Sequence, residues 1–165
     1  MTKSIQHLTV GIVVRVVHAA ICELQAVGDT RVLHELAHLR EGQAYSIAAG
    51  AKGPALHVQW KGGKLLSLPA PAEGACKLTI KTLPLAFRLF TGQVGLAQAY
   101  AWHAFTVQGE LGEVMQLARL VNMVEAYLFP RFITKHLLTD IPELQANPLR
   151  IYGRLLCGFL TARYS

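Results

Sequence analysis

Apolar residues near the start of the chain recur at three- and four-residue steps. Ile12, Val13, Val16, Val17, Ala20, Ile21 and Leu24 form one stripe, and the spacing predicts a helix over 4–26. Gly28-Asp29-Thr30 breaks it and offers Asp29 or Thr30 as the next N-cap. A second helix is expected to run to about Glu41, with Val32, Leu33, Leu36 and Leu39 as its apolar face and Gly42 after it. The alternation then changes to every second residue. Tyr45, Ile47 and Ala49 form one such run, and Leu56, Val58 and Trp60 another. Lys61-Gly62-Gly63-Lys64 is a two-residue hairpin signal leading into Leu65–Leu68, which Pro69-Ala70-Pro71 stops. Cys76, Leu78 and Ile80 alternate with Lys77, Thr79 and Lys81. The expectation is a four-strand antiparallel meander with one apolar and one basic face.

Helices are expected at 82–91, with Pro84 in the first turn, and at 96–104, followed by a fifth strand at 105–111. The helix predicted at 113–129 is unusual. Its polar residues Gln116, Arg119, Asn122 and Glu125 form one narrow drifting stripe, and nearly everything else is apolar. A surface helix buries an apolar stripe somewhat over 100° wide, so this one must meet protein or ligand on two sides. After Pro142, Asn147 and Pro148 begin a last helix reaching about Ala162. Leu149, Tyr152, Leu155, Leu156, Phe159 and Leu160 make its apolar face, flanked by Arg150, Arg154 and Arg163. That basic amphipathic pattern reads as a cover on the domain or as a membrane-surface helix.

Composition sharpens this picture. Of 165 residues, 52% are hydrophobic and 16% charged, against roughly 25% charged in an ordinary domain. Disorder is excluded, and the surplus needs a large core, an interface, a membrane or a cavity. The longest uncharged run, Leu89–Gly109, carries Gly, Gln, His and Thr and does not read as a membrane span. A formal charge of +6 favours anionic partners. With no dense Lys/Arg block, nucleic acid is not expected and phospholipid is. Cys22, Cys76 and Cys157 are far apart with no CxxC, which reads as reduced thiols in a cytoplasmic protein. The local base for Cys22 is His18.

One motif invites sharper chemistry. His34-Glu35-Leu36-Ala37-His38 is a literal H-E-x-x-H, whose spacing puts both imidazoles on one helix face with Glu as general base for a zinc hydrolase. No Gly-x-x-His extension follows, and the sheet comes after this helix. The bland reading is a solvated helix face.

Three stretches resemble the sterol carrier protein 2 family of lipid-binding domains. Lys77-Leu78-Thr79-Ile80-Lys81-Thr82 looks like its strand leading into a helix, and Leu89-Phe90-Thr91-Gly92 like its helix-ending glycine. Phe105-Thr106-Val107-Gln108-Gly109-Glu110, followed by Met115-Gln116-Leu117, looks like its closing strand and last helix, with Glu110 where that family commonly has Asp. The resemblance implies a non-catalytic module with an apolar tunnel for fatty acyl chains, sterols or isoprenoids, such as an accessory factor presenting a quinone precursor to membrane-associated enzymes.

The expected fold is α+β: a five-stranded, mostly antiparallel sheet covered on one face by helices, with an apolar tunnel and extra N- and C-terminal helices. A single lipid-binding domain spans 1–165, with a core at 30–130 and extensions at 1–28 and 131–165. Phe87, Phe90, Trp102, Phe105, Leu117, Leu120 and Met123 are the candidate ligand-binding residues. Lys77, Lys81, Arg150 and Arg154 are the candidate membrane contacts. No catalytic residue, metal ligand or cofactor is assigned. The expected partners are a hydrophobic lipid, a transient anionic membrane surface and other proteins of a lipid pathway, with the chain cytoplasmic or peripheral to the membrane. The alternatives are the zinc hydrolase and a ligand-free homodimeric interaction module.

Overall fold

The computed structural model describes residues 2–128 and 147–160. It begins with α1 (Lys3–Val27) and α2 (Thr30–Ala37). Gly28 ends α1 in a left-handed conformation, φ 81°, and Asp29 caps α2 by accepting from the backbone N–H groups of Arg31 and Val32. The second helix is shorter than its sequence pattern predicts, because His38 already forms its C-cap. Val32, Leu36 and Leu39 are buried as expected, whereas Leu33 is exposed. On α1 the buried stripe is Val10, Val14, Val17, Ala20, Ile21 and Leu24, and Ile12 faces outward.

The sheet comprises β1 (Ala44–Ala49), β2 (Ala55–Lys61), β3 (Lys64–Ser67), β4 (Cys76–Ile80) and β5 (Phe105–Gln108), in the order β3-β2-β1-β4-β5. Gly62 and Gly63 turn the β2–β3 hairpin with φ of 58° and 71°, the left-handed pair that a tight hairpin requires. The expected simple meander is incorrect at β4. This strand leaves β3 and pairs with β1 in parallel, Ile47 opposite Leu78, while the other three pairings are antiparallel. The physical reason is burial. Cys76, Leu78 and Ile80 are all buried beside β1, whereas Leu65 is the one buried residue of β3. The prolines at 69 and 71 carry no N–H for a ladder there.

Tyr45, Ile47, Leu56, Val58, Trp60, Leu78 and Ile80 point to one side of the sheet and join the main core. That side is covered by helices. The other side carries Ser46, His57, Gln59, Lys77 and Thr79, so the expected apolar and basic faces are present. Ser46 and His57 share a hydrogen bond of 2.8 Å across it. Burial and then the Lys77 charge hold His57 below the usual imidazole range.

The remaining helices are α3 (Leu83–Phe90), α4 (Leu96–Ala101), α5 (Leu111–Leu128) and α6 (Pro148–Leu160). Thr82 caps α3 through its hydroxyl. The uncharged run Leu89–Gly109 therefore breaks into a helix end, α4 and β5. By length and composition α1 is long and apolar enough to cross a membrane, and half of its most apolar window is buried within this fold. It packs on α3, α5, α6 and the sheet, and its buried stripe belongs to the main core. Arg154 of α6 ion-pairs with buried Glu23 of α1, and Ile151 and Leu155 are buried there. Arg163 and the stretch containing Pro142 lie outside the described residues.

Candidate functional site

The helix α5 is tied down at both ends by a tyrosine and a carboxylate. At its start, buried Tyr45 of β1 donates to Glu113 Oε2, and burial, with this bond, pushes the Tyr45 phenol well above its ordinary range. Near its end, Tyr127 donates to Asp29 Oδ2, and Arg31 approaches both at 3.3 Å. Burial pushes the Asp29 carboxyl up. Hydrogen bonds from Tyr127, the Val32 N–H and Arg31, with the Arg31 charge, outweigh it, and the carboxyl sits below its usual value.

Between these anchors α5 has two apolar faces. Leu117, Leu120 and Val124 are buried in the main core. The opposite face borders a groove of about 420 Å³. Its floor is Leu78 of β4 with Phe105 and Val107 of β5. Its walls are Ala97, Tyr100 and His103 on one side and Leu111, Val114, Met115, Ala118 and Asn122 on the other. The steps on α5 are three and four residues, so these side chains stack on one helix face. The volume falls in the range of roughly 300–1,000 Å³ typical of small-molecule sites.

Local structure explains why the groove stays open. The helix α4 is only six residues long and is capped at Trp102. His103 makes the exit with φ 50°, the one described non-glycine residue in the left-handed region, and Ala104 N–H closes the turn on Ala99 O. Gly109 then turns β5 into α5 with φ 93°; a Cβ there would stand 2.9 Å from Cys76 Sγ. The apolar side of β5 is left partly bare, with Val107 37% exposed. At the groove's outer end Leu111 is 60% exposed, while Ala118 is buried.

Of the seven candidate ligand residues, Phe105 lines this groove. Phe90, Leu117 and Leu120 lie in the main core, with Phe87 and Met123 packed against it. Trp102 is half exposed, with the Arg88 guanidinium 6.0 Å from its ring centre. The sequence reading located the two-sided helix and not which side is open. It missed Tyr100, His103, Val107, Met115, Ala118 and Asn122. The available signal was Ala118, a small residue between larger ones on the face that Asn122 shares.

Among the candidate membrane contacts, Lys81 and Arg150 are exposed and Lys77 is half-buried on the open sheet face. Arg154 is turned to Glu23. A second cavity, about 710 Å³, lies between α1 and the β2–β3 hairpin and is bordered by His18, Cys22 and Glu23. His18 Nε2 is 2.9 Å from Leu65 O and 3.7 Å from Cys22 Sγ. The nitrogen facing the thiol therefore carries the proton donated to the carbonyl and is not arranged as a base.

The H-E-x-x-H motif does place His34 and His38 side by side, ring centres 4.4 Å apart. Glu35, however, pairs with Arg119 at 3.0 Å. Among the described residues no group of three or more His, Cys, Asp or Glu is placed to hold a metal ion.

No family model matches the chain, and no curated protein matches it. Two solved structures do. One is a UbiJ-SCP2 ubiquinone synthesis protein, 15% identical, covering 58% of this chain and 82% of that one, with a TM-score of 0.43. The other is sterol carrier protein 2 like 2 from Aedes aegypti, 13% identical, covering 57% of this chain and 93% of that one, with a TM-score of 0.35.

Proposed function

We propose that this chain is a non-catalytic lipid-binding carrier whose groove between α4, β5 and α5 takes the apolar part of the ligand. The observation that carries this reading is the groove itself: an open, mostly apolar concavity beside a rigidly anchored helix, lined by Met, aromatic and aliphatic side chains. Reversible burial of a hydrocarbon tail is its chemistry, and no bond is made or broken. The net charge of +6 supports transient contact with anionic bilayers, with Lys77, Lys81 and Arg150 as its carriers. The finer proposal, drawn from the family resemblance of the sequence, is an isoprenoid quinone precursor presented to membrane-associated enzymes by a cytoplasmic or peripheral protein.

Native mass spectrometry of the purified chain tests the reading. Lipid adducts are expected, and they are expected to be lost when Ala118→Leu fills the groove in a folded protein. Adduct-free spectra after incubation with oleate, or adducts retained by the variant, would contradict it. Binding to anionic vesicles is expected in low salt and release as salt rises, because a Debye length of about 10 Å at 0.1 M screens surface charge.

A second reading has its own observation. Leu149, Leu156 and Leu160 of α6 are 75%, 66% and 80% exposed, and Ile5, Leu8 and Ile12 of α1 are also exposed. Such apolar faces suit a homodimer or a protein of the same lipid pathway. Light scattering that shows a concentration-dependent dimer, abolished by Leu156→Glu, would favour it.

A further inference from the structure

The two ends of the sheet differ in charge. The end of β1, the start of β2, the end of β4 and the start of β5 lie side by side, with Ala48 opposite Ala55, and with Ala49 and Phe105 on either side of Ile80. The first turns of α1 lie at this end too. Lys3, Ser4, His7 and Leu8 border one cavity with Leu83 at the start of α3, and a Cβ on Gly11 would stand 3.7 Å from Pro54 Cβ, just before β2. The last turns of α1 are at the other end, where Gln25 donates to Gly63 O of the hairpin at 2.7 Å.

The acids are sorted along the same direction. No Asp or Glu precedes Glu23, and none lies between Glu41 and Glu73 or between Glu73 and Glu110. The first end therefore carries exposed Lys3, Lys52 and Lys81 with no acid on the segments that build it. None of these lysines ion-pairs with another described residue. At the other end Glu41 accepts from Gly62 N–H, Glu113 accepts from Tyr45 at the start of β1, Glu73 precedes β4 and Glu110 follows β5.

Apolar side chains stand among the lysines. Ile5, Leu8 and Ile12 are each half exposed or more, and steps of three and four residues place them on one face of α1. Exposed Arg15 continues that stripe. A second copy is a poor cover for it, because a symmetric contact would set the lysines against their own counterparts, and like charges brought together in an interface cost several kcal/mol. A surface that is anionic at its rim and apolar within complements both kinds of group.

We infer that this end of the molecule, the start of α1 with the β1–β2 loop and the β4–α3 junction, is the face that docks on an anionic phospholipid bilayer. Ile5 and Leu8 enter the boundary between headgroups and acyl chains, and Lys3, Lys52 and Lys81 meet the phosphates. The inference rests on the reading that the chain visits anionic bilayers, and it adds the face presented to them. His103 and Phe105 border the groove and stand at this end of β5, so docking brings that part of the groove nearest the bilayer.

Sedimentation of the full chain with vesicles of equimolar phosphatidylglycerol and phosphatidylcholine tests it, with three exposed residues changed one at a time. Lys52→Gln, just before β2, is expected to weaken binding about fivefold, the share of one lysine at an anionic surface. Lys61→Gln removes the same charge at the far end of the same strand, roughly 20 Å away and about two Debye lengths at 0.1 M salt, and is expected to change binding by less than about twofold. Leu8→Gln is expected to weaken binding about tenfold, as loss of a buried leucine side chain would. Equal losses from Lys52→Gln and Lys61→Gln would overturn the inference and leave the bilayer reading intact. Binding untouched by Leu8→Gln would do the same, and so would a dimer in light scattering that Leu8→Gln abolishes, which assigns the face to a second copy. A native chain that stays in the supernatant would overturn the bilayer reading and this inference with it.

Discussion

The two faces of α5 are alike in composition and opposite in use. Leu117, Leu120 and Val124 are sealed into the main core. Leu111, Met115, Ala118 and Asn122 line a groove. What separates them is the partner opposite. The core face meets the main body of the protein, where α1 contributes buried residues from Val10 to Leu24. The other face meets β5, an edge strand of four residues, and α4, a helix of six. Apolar content alone therefore does not decide which face of the helix is left open; the length of the elements across from it does.

The comparison predicts unequal costs for equal truncations. Leu120→Ala, on the core face, is expected to destabilise by about 3 kcal/mol or more, as deletion of a fully buried leucine usually does. Urea unfolding measures this. A loss under about 1 kcal/mol would mean that the core face is also loosely packed.

Glu125→Gln probes the buried end of the groove face. With a folded-state pKa of about 7 against an ordinary 4.5, Glu125 is protonated in both states at low pH. As pH rises from 4.5 the unfolded chain ionises first, so stability falls until about pH 7 and then levels off. The cost above pH 7 is up to about 3 kcal/mol. The glutamine variant is expected to be more stable than the native chain at pH 8 and equal to it at pH 4. A variant with the same pH slope as the native chain would show that Glu125 is not held neutral.

Tyr127→Phe loosens the anchor at the end of α5. It removes the donor to Asp29 and is expected to cost about 1–2 kcal/mol at pH 7. Asp29 has a depressed pKa, so its stabilisation is present above its unfolded value of 3.8 and fades as pH falls. The gap between variant and native chain should therefore narrow in acid. A constant gap would assign the loss to packing.

Met115→Ala should have the smallest effect on folding, under about 1 kcal/mol, because the side chain is 39% exposed. It is expected to weaken oleate binding severalfold. Unchanged binding would detach this face from ligand.

Much of this fold is legible in residue spacing. Alternation located β1, β2 and β4, Gly62-Gly63 the hairpin into β3, and Gly28-Asp29-Thr30 the break before α2. The parallel β1–β4 pairing was not legible, because strand order depends on which strand most needs two neighbours, and period 2 is silent on that. The site was legible as a helix with apolar groups on both sides. Choosing the open side required knowing that α4 stops at Ala101 and that α1 covers the opposite face. Large aromatic residues drew the sequence reading toward Phe90 and Trp102. One is ordinary core and the other a half-exposed surface residue, whereas small Ala118 and polar Asn122 border the groove.

Two internal methionines of the same helix have different surroundings. Met115 lines the groove and Met123 packs against the core. The most direct test is an NMR titration of methyl-labelled methionine with oleate. The groove account predicts that the Met115 methyl shifts and saturates while Met123 stays nearly still. Saturable shifts at Met123 with Met115 unmoved would contradict it.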